Sequence, residues 1–356
     1  MKKIITILFA LVLVFSMFSG CTKEAAETQP AATEESKTVE SNQDTVVESN
    51  YPERPINLIV PFGAGGGTDG WNRAIAAALV ENGWDVKVSN VTGGSAGSVG
   101  TAQVWNGKHD GYTLAGTSET PLCIPVMAGD EQTTGSWEYY IAGGSPGILC
   151  VNKDAGINDL QALIDACSQD TVNIAGTSGG LWFLLASMVE YATDIDLRVV
   201  TYDGSAGAIA ACVSGETAAV AASAGEVAEY VKDGSLIPVA AFQTNDFEHA
   251  DFGTVPAITS LIPEVEAYLP LNQFIGFMVP KDTPDDVKAV LEKAFLEACE
   301  SESLKAFAEQ NYAVFYKWVG EEADQNCAKA QSVMSWMLYD MGKTEYSPEE
   351  FGIPKP

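Results

Sequence analysis

Short apolar runs alternate with stretches of helical period along most of this chain. INLIV (56–60) reads as a strand. After a glycine-rich segment comes WNRAIAAALVEN (71–82), whose apolar positions recur at helical spacing. Thr68 or Asp69 is placed to cap that helix and Gly83 to end it. VKVSNV (86–91), YTLAGT (112–117), EYYIAGG (138–144) and GILCVN (147–152) follow as strands. The pattern then restarts. INDLQALIDACS (157–168) is a helix with a cap signal at Asn158, VNIAG (172–176) a strand and LWFLLASMVEYAT (181–193) a helix. LRVVTY (197–202) is a strand, AIAACVSG (208–215) a helix, TAAVAASAGE (217–226) a strand with its loop, and LIPVAAF (236–242) the last strand of the group. Farther on, Thr283-Pro284-Asp285-Asp286 opens a helix with Val287, Val290, Leu291, Ala294, Phe295 and Ala298 on one face. A second long amphipathic helix covers 321–341. Alternation of this kind predicts mostly parallel sheets flanked by helices, and the restart near residue 148 predicts two such units.

The N-terminus breaks the pattern. Met1-Lys2-Lys3 is basic, and the apolar run from Ile4 to Phe18 is too short to span a bilayer. Phe18-Ser19-Gly20-Cys21 closes it, which is similar to a bacterial signal peptide ending in a lipobox. The expectation is a signal peptide over 1–20, cleavage before Cys21 and a lipid on Cys21; an ordinary signal peptide cut nearby is the alternative. Residues 22–50 are rich in Glu, Thr, Ser and Ala and hold no aromatic residue, too little apolar surface to fold. With Cys21 they form a tether with a reach of roughly 30 Å. The folded body thus begins at Tyr51, outside the cell membrane.

The formal charge of −29 excludes nucleic acid and anionic lipid as partners of that body. Its arginines are Arg54, Arg73 and Arg198. The body cysteines Cys123, Cys150, Cys167, Cys212, Cys299 and Cys327 have no CxxC spacing, so neither a metal nor a redox site is expected. Export permits disulfides, but the alanine-rich surroundings of four of them favour buried small residues.

VPFGAGGGTDG (60–70) contains GxGxxG between a strand and a helix, the dinucleotide setting. The acid expected on the ribose about twenty residues later is missing, Ser89-Asn90-Val91 standing there, and no Gly-Lys-Ser/Thr occurs. GxSxG recurs around Ser95, Ser145 and Ser178, which with His109 or His249 leaves an exported α/β serine hydrolase as the alternative function. A surface or adhesive module without a small ligand is a third reading. The feature that repeats is a small-residue loop after a strand: 63–70, 92–100, 117–118, 177–180, 203–207 and 223–225. Such loops expose backbone N–H groups at helix N-termini and bind anions without charged side chains, which lets an acidic protein hold a carboxylate.

YPERPINLIVPFGAGGGTD, the glycine-rich stretch after Asn90, DGYTL, Gly176-Thr177-Ser178-Gly179 and Tyr202-Asp203-Gly204-Ser205 together resemble the tripartite tricarboxylate transporter substrate-binding proteins, the Bug or TctC-like family, over 51 to about 352. The resemblance implies a two-lobed, periplasmic-binding-protein-like clamshell of α/β class, 51–145 with 245–356 as one lobe and 146–244 as the other. It also implies a small carboxylate ligand, a two-subunit membrane permease as partner, no catalysis and no cofactor. We read the receptor as a monomer, anchored by its lipid to the outer face of the cell membrane. By position, Phe62, Gly65, Gly66, Gly67, Thr68 and Asp69 form the first grip, then Ser95, Ala96 and Gly97, then Thr117 and Ser118. The second lobe supplies Thr177, Ser178, Gly179, Asp203, Gly204, Ser205 and Ser223. Thr92 and Gly93 stand where the family often has a basic residue and proline, which removes a positive charge. Asp69, Glu119 and Asp203 near one cleft suggest a ligand bearing an ammonium group as well as a carboxylate, although a helix cap paired with Arg73 also accounts for Asp69. Trp71, Trp182 and Phe183 are candidates for an apolar wall.

Overall fold

The alternation seen in the sequence is realised as two separate sheets. The computed structural model describes residues 50–193, 197–269 and 271–356, so the expected signal peptide, Cys21 and the tether up to residue 49 lie outside the described residues. In chain order the elements are β1 (Ile56–Val60), α1 (Gly67–Glu81), β2 (Val86–Asn90), α2 (Ser98–Trp105), β3 (Thr113–Ser118), α3 (Ile124–Ala128), β4 (Trp137–Gly144) and β5 (Gly147–Asn152). They continue as α4 (Leu160–Cys167), β6 (Val172–Thr177), α5 (Leu181–Thr193), β7 (Leu197–Tyr202), α6 (Ser205–Ser214), β8 (Ala219–Ser223), α7 (Ala224–Lys232) and β9 (Leu236–Ala241). The remainder is β10 (Phe247–His249), β11 (Gly253–Val255), β12 (Ile275–Pro280), α8 (Asp285–Cys299), α9 (Glu302–Gln310), β13 (Val314–Trp318) and α10 (Gly320–Asp340).

The first sheet has the order β13-β4-β12-β3-β1-β2 and the second β7-β6-β8-β5-β9. β1 runs parallel to β2 and β3, and β6 parallel to β7 and β8. β12 is antiparallel to β3 and β4, and β5 antiparallel to β8 and β9. The second sheet is codirectional except for β5, and in the first β2, β1, β3 and β4 run one way while β12 and the edge strand β13 are reversed. The interior reversed strands are those by which the chain arrives from the other sheet: β5 follows β4 directly, and β12 is the return. The two arrivals lie side by side. A side chain at Gly144 would run into the Gln273 carbonyl, and Ser145 Oγ donates to the Asn311 carbonyl at 2.6 Å.

Helix α1 forms because its apolar residues share one face: Trp71, Ile75, Ala78 and Leu79 are buried. They pack with Leu58, Phe277, Leu291, Phe295 and Leu304 in the core of the first sheet. Tyr140 and Phe277 stack at 4.8 Å there, and Phe295 meets Phe277 edge-on at 5.6 Å. Helix α5 buries Leu181, Trp182, Leu184, Leu185, Met188 and Val189 against Leu149, Val151 and Ile174 of the second sheet. Helix α10 reaches both cores. Its Cys327 packs with Tyr139 and Ile141 of the first sheet, and its Met334, Met337 and Leu338 pack in the cluster that includes α5.

Several local expectations change. The residue at the start of α1 is Gly66, with no side-chain cap; Asp69 sits in the first turn and reaches back to the Gly65 amide at 2.9 Å. α4 is capped by Asp159, whose carboxylate accepts from Ala162 N at 2.7 Å, rather than by Asn158. The short antiparallel pair of β10 and β11 has no clear period in sequence and was not foreseen. Within the stretch 245–356, which the resemblance assigns to the first lobe, Phe252 and Val255 pack in one cluster of second-sheet residues and Ile258, Ile262 and Val265 in the cluster around α5. Cys123, Cys150, Cys212, Cys299 and Cys327 are free and buried, and Cys167 is buried as well; for Cys167, Cys212, Cys299 and Cys327 burial is what the alanine-rich pattern suggests.

Phe277 is fully buried between Tyr140 and Phe295. Phe277→Ala should cost about 3–5 kcal/mol in a denaturant titration, whereas Val99→Ala, at an exposed site, should change stability by less than about 0.5 kcal/mol.

Candidate functional site

The ends of several codirectional strands deliver their loops to one place. β1 leads through 61–66 into α1, β6 through Ser178-Gly179-Gly180 into α5, and β7 through Asp203-Gly204 into α6. A pocket forms there, lined by Phe62, Gly66, Gly67, Thr68, Ser118, Glu119, Thr120, Thr177, Trp182, Gly204, Ser205 and Gln273. Three helices of 15, 13 and 10 residues thus begin at one cavity, α1 at Gly67, α5 one residue before Trp182 and α6 at Ser205. Their first-turn amides supply a positive field with no basic side chain in the lining, and one of them, Gly67 N–H, already holds the Glu226 carboxylate.

Loops of the two sheets touch around this cavity. Gly63 N–H donates to the Asp203 carbonyl at 3.3 Å and Ala96 N–H to the Ser178 carbonyl at 3.3 Å. Thr120 leaves no room for a side chain at Gly180. Glu226 makes the most connected bridge. Its carboxylate accepts from Gly67 N–H at 2.6 Å, from the Ser205 hydroxyl, and from Ser223 N–H at 3.2 Å and the Ser223 hydroxyl at 2.6 Å. These contacts leave a pocket of about 20 Å³, enough for about one water-sized group. A larger groove of about 380 Å³ lies elsewhere, but Tyr268, Phe274, Tyr316 and Trp318 wall it rather than strand-to-helix turns.

Of the residues picked out by sequence, Phe62, Gly66, Gly67, Thr68, Ser118, Thr177, Gly204 and Ser205 line the pocket. Gly65 is exposed beside it, and Asp69 points to Arg73 Nε at 2.9 Å and accepts from Asn90 Nδ2 at 2.9 Å. Burial opposes ionisation of Asp69, but the bonds from Arg73, the Gly65 amide and Asn90 outweigh it and hold the carboxyl below its usual range. Ser95, Ala96, Gly97, Ser178 and Gly179 belong to the neighbouring loop contact, where Ala96 adopts a positive φ of 56°. Thr117 is buried with its hydroxyl on the Ser118 carbonyl, and Ser223 caps α7 in a capping box with Glu226. Asp203 is exposed and offers its backbone carbonyl. Among the candidate wall residues only Trp182 lines the pocket; Trp71 packs on Phe307, and Phe183 packs against the α5 cluster. Sequence reasoning missed Thr120, Gln273 and Glu226. Thr120 and Gln273 lie outside any glycine loop, and Glu226 carries only the Ser-x-x-Glu spacing of a capping box. The histidines are engaged away from the GxSxG serines: His109 contacts Asp282 at 2.5 Å, and His249 accepts from Asp251 N at 3.2 Å.

Thr177 is 6% exposed, and its hydroxyl has no hydrogen-bond partner among the described residues. Glu119 is 2% exposed. Its Oε2 accepts from Phe274 N at 3.1 Å, and Oε1 has a long contact from the Thr120 hydroxyl at 3.4 Å. Burial pushes the Glu119 carboxyl up to about 7; its own amide and that of Phe274 pull it back, and nearby Glu226 pushes it further.

The family model described as the tripartite tricarboxylate transporter family receptor matches residues 73–331. Protein BugT of Bordetella pertussis is 29% identical over 276 residues, which is 74% of this chain and 82% of that protein. Among solved structures, the periplasmic binding protein BugD superposes with a TM-score of 0.75 at 21% identity, covering 83% of this chain and 99% of that one. MatC of Rhodopseudomonas palustris, solved with bound malate, gives 0.71 at 18% identity, covering 82% and 100%. These likenesses carry the two-lobed binding-protein fold.

The raised Glu119 carboxyl predicts a pH effect on stability. Below about pH 4.5 folded and unfolded chains both hold the proton, and the group costs nothing. As pH rises from there to about 7 the unfolded chain ionises first, so stability falls, by about 3 kcal/mol once the loss is complete. Glu119→Gln removes this penalty and keeps the acceptor for Phe274. The variant should melt above the parent by a margin that is wider at pH 8 than at pH 5.

Proposed function

This chain belongs to the tripartite tricarboxylate transporter family of receptors, a family of binding proteins rather than enzymes, and we propose that it captures a small organic carboxylate between its two sheets. The observation that carries this reading is the meeting of three helix N-termini from facing loops at one pocket without a basic side chain. Backbone amides at Gly66, Thr68, Gly204 and Ser205 hold the carboxylate, beside the Gly67 amide that Glu226 occupies, and the hydroxyls of Thr68, Ser118 and Thr177 fix its orientation. Phe62 and Trp182 cover its apolar part. The malate held by MatC supports the ligand class.

A pocket of about 20 Å³ admits such a ligand only when the facing loops part. We place the hinge at the adjacent crossovers, 144–147 and 272–275, where backbone passes against backbone at Gly144 and Gln273. Closure then buries the ligand and remakes the bridges between loops, the geometry of a clamshell receptor. The receptor acts outside the cell membrane, held there by a lipid on Cys21 and the tether, and hands its ligand to a two-subunit permease. Catalysis has no part in this role.

A thermal melt against mono-, di- and tricarboxylates tests the reading. A ligand at about a hundred times its Kd should add about 2.7 kcal/mol. Thr177→Val, which deletes a buried hydroxyl left without a partner on a lining residue, should weaken binding about tenfold. If every carboxylate leaves the melt unmoved, the reading is wrong.

A further inference from the structure

Asp69, Glu119, Asp203 and Glu226 are the acids at the facing loops, and three of them stay on their own side. Asp69 accepts from Gly65 N–H, Arg73 and Asn90, Glu119 accepts from Phe274 N–H, and Asp203 is exposed. Glu226 differs, because its side chain crosses from the loops of one sheet to those of the other. It stands in the first turn of α7, after β8 of the second sheet, and its two oxygens divide their contacts. Oε2 accepts from Ser223 N–H at 3.2 Å and from the Ser223 hydroxyl at 2.6 Å, which completes the cap of its own helix. Oε1 accepts from the Gly67 amide of α1 at 2.6 Å and from the Ser205 hydroxyl at the start of α6.

The cap needs only the first oxygen. The second does what a ligand carboxylate is proposed to do: it places an anionic oxygen between the starts of two helices, α1 packed on the first sheet and α6 on the second. The approach is close, since a Cβ on Gly67 would meet the Glu226 carboxylate carbon at 3.1 Å. Beside it remains a pocket of about 20 Å³, room for about one water-sized group and not for a second carboxylate. Charge opposes a second carboxylate as well. No arginine, lysine or histidine lines the pocket. Burial already pushes the Glu119 carboxyl up, and the Glu226 charge pushes it further. Another anion on the same helix starts would add repulsion from both acids.

We propose that Glu226 is a tethered stand-in for the ligand's carboxylate: it clasps the facing loops while the receptor is empty, and the ligand enters by replacing it at the Gly67 amide and the Ser205 hydroxyl. This inference rests on the carboxylate-receptor reading and adds the residue against which affinity is set. The exchange is carboxylate for carboxylate. Oε2 keeps the Ser223 cap, Oε1 turns to water as the loops part, and the backbone bridges from Gly63 to Asp203 and from Ala96 to Ser178 remake on closure. A tethered group competes at a high effective concentration. Glu226 thereby lowers the affinity for every acid and shuts out neutral molecules, which offer these two donors no anionic oxygen.

Glu226→Gln tests this, because glutamine keeps an acceptor for the Ser223 cap and puts at the other position an amide that cannot accept from Gly67. In ligand-free protein with glycine-selective ¹⁵N labelling, the variant should show a moved Gly67 amide resonance, with Gly83 and Gly215 in place. In calorimetric titrations with acetate, L-malate, adipate and citrate, each acid that binds the parent should bind the variant about tenfold tighter. Glu226→Asp, which keeps the charge and is one methylene too short to reach Gly67, should give the same gain and takes over if the glutamine variant does not fold. An unmoved Gly67 amide in the ligand-free variant would overturn the proposal. Equal or weaker binding by the variant would overturn the competition and leave the carboxylate receptor standing. Binding of none of the four acids to parent or variant would overturn both readings.

Discussion

An acidic protein binds an anion only if something other than its net charge supplies the attraction, and in the proposed reading that is the set of amides at the starts of helices. A formal charge of −29 surrounds a pocket with no basic side chain in its lining. The field comes from α1, α5 and α6, whose first turns point at the same cavity because their preceding strands run in the same direction within each sheet. The remaining architecture follows from that need. Parallel strands put the helix starts at one edge, glycine and small residues let backbone approach closely, and a second sheet brings a second set of helix starts to face the first.

The reversed strands are what bring the sets together. β5 and β12 enter their sheets from opposite directions, and the crossovers touch at Gly144 and Gln273. Glu226 links closure to the site itself, because the α1 amide it accepts from belongs to the ligand-facing turn. Helix α10, with residues in the cores of both sheets, limits how far they can separate.

Much of this was legible in the chain. The period-two and helical stretches marked β1 to β9 and α1, α4, α5, α6, α8 and α10, but not β12, β13, α2, α3, α7 or α9. The small-residue loops marked seven of the pocket residues, from Gly66 to Ser205, because a turn that approaches a ligand by its backbone must be built from small residues, and Phe62 came from the resemblance. What was hidden depends on tertiary placement. Thr120 and Gln273 reach the pocket from segments without a repeating signal, and Asp159 displaced Asn158 as a cap through a one-residue shift in helix start. Residues 245–269 follow no period, so their packing against the second sheet was not visible in the pattern. The acids were visible but their roles were not: Asp69 is absorbed by Arg73 four residues on, whereas Glu119 is buried in the lining on the Phe274 amide, its own amide and a long contact from Thr120.

The central claim is that backbone amides at facing helix starts hold the ligand. Glycine-selective ¹⁵N labelling makes those amides observable one by one. Titration with a carboxylate that stabilises the protein should move the amide resonances of Gly66, Gly67 and Gly204 and leave those of Gly83, Gly215 and Gly234, at distant turns, in place. Shifts confined to glycines away from the pocket, with Gly66, Gly67 and Gly204 unmoved, would contradict the account.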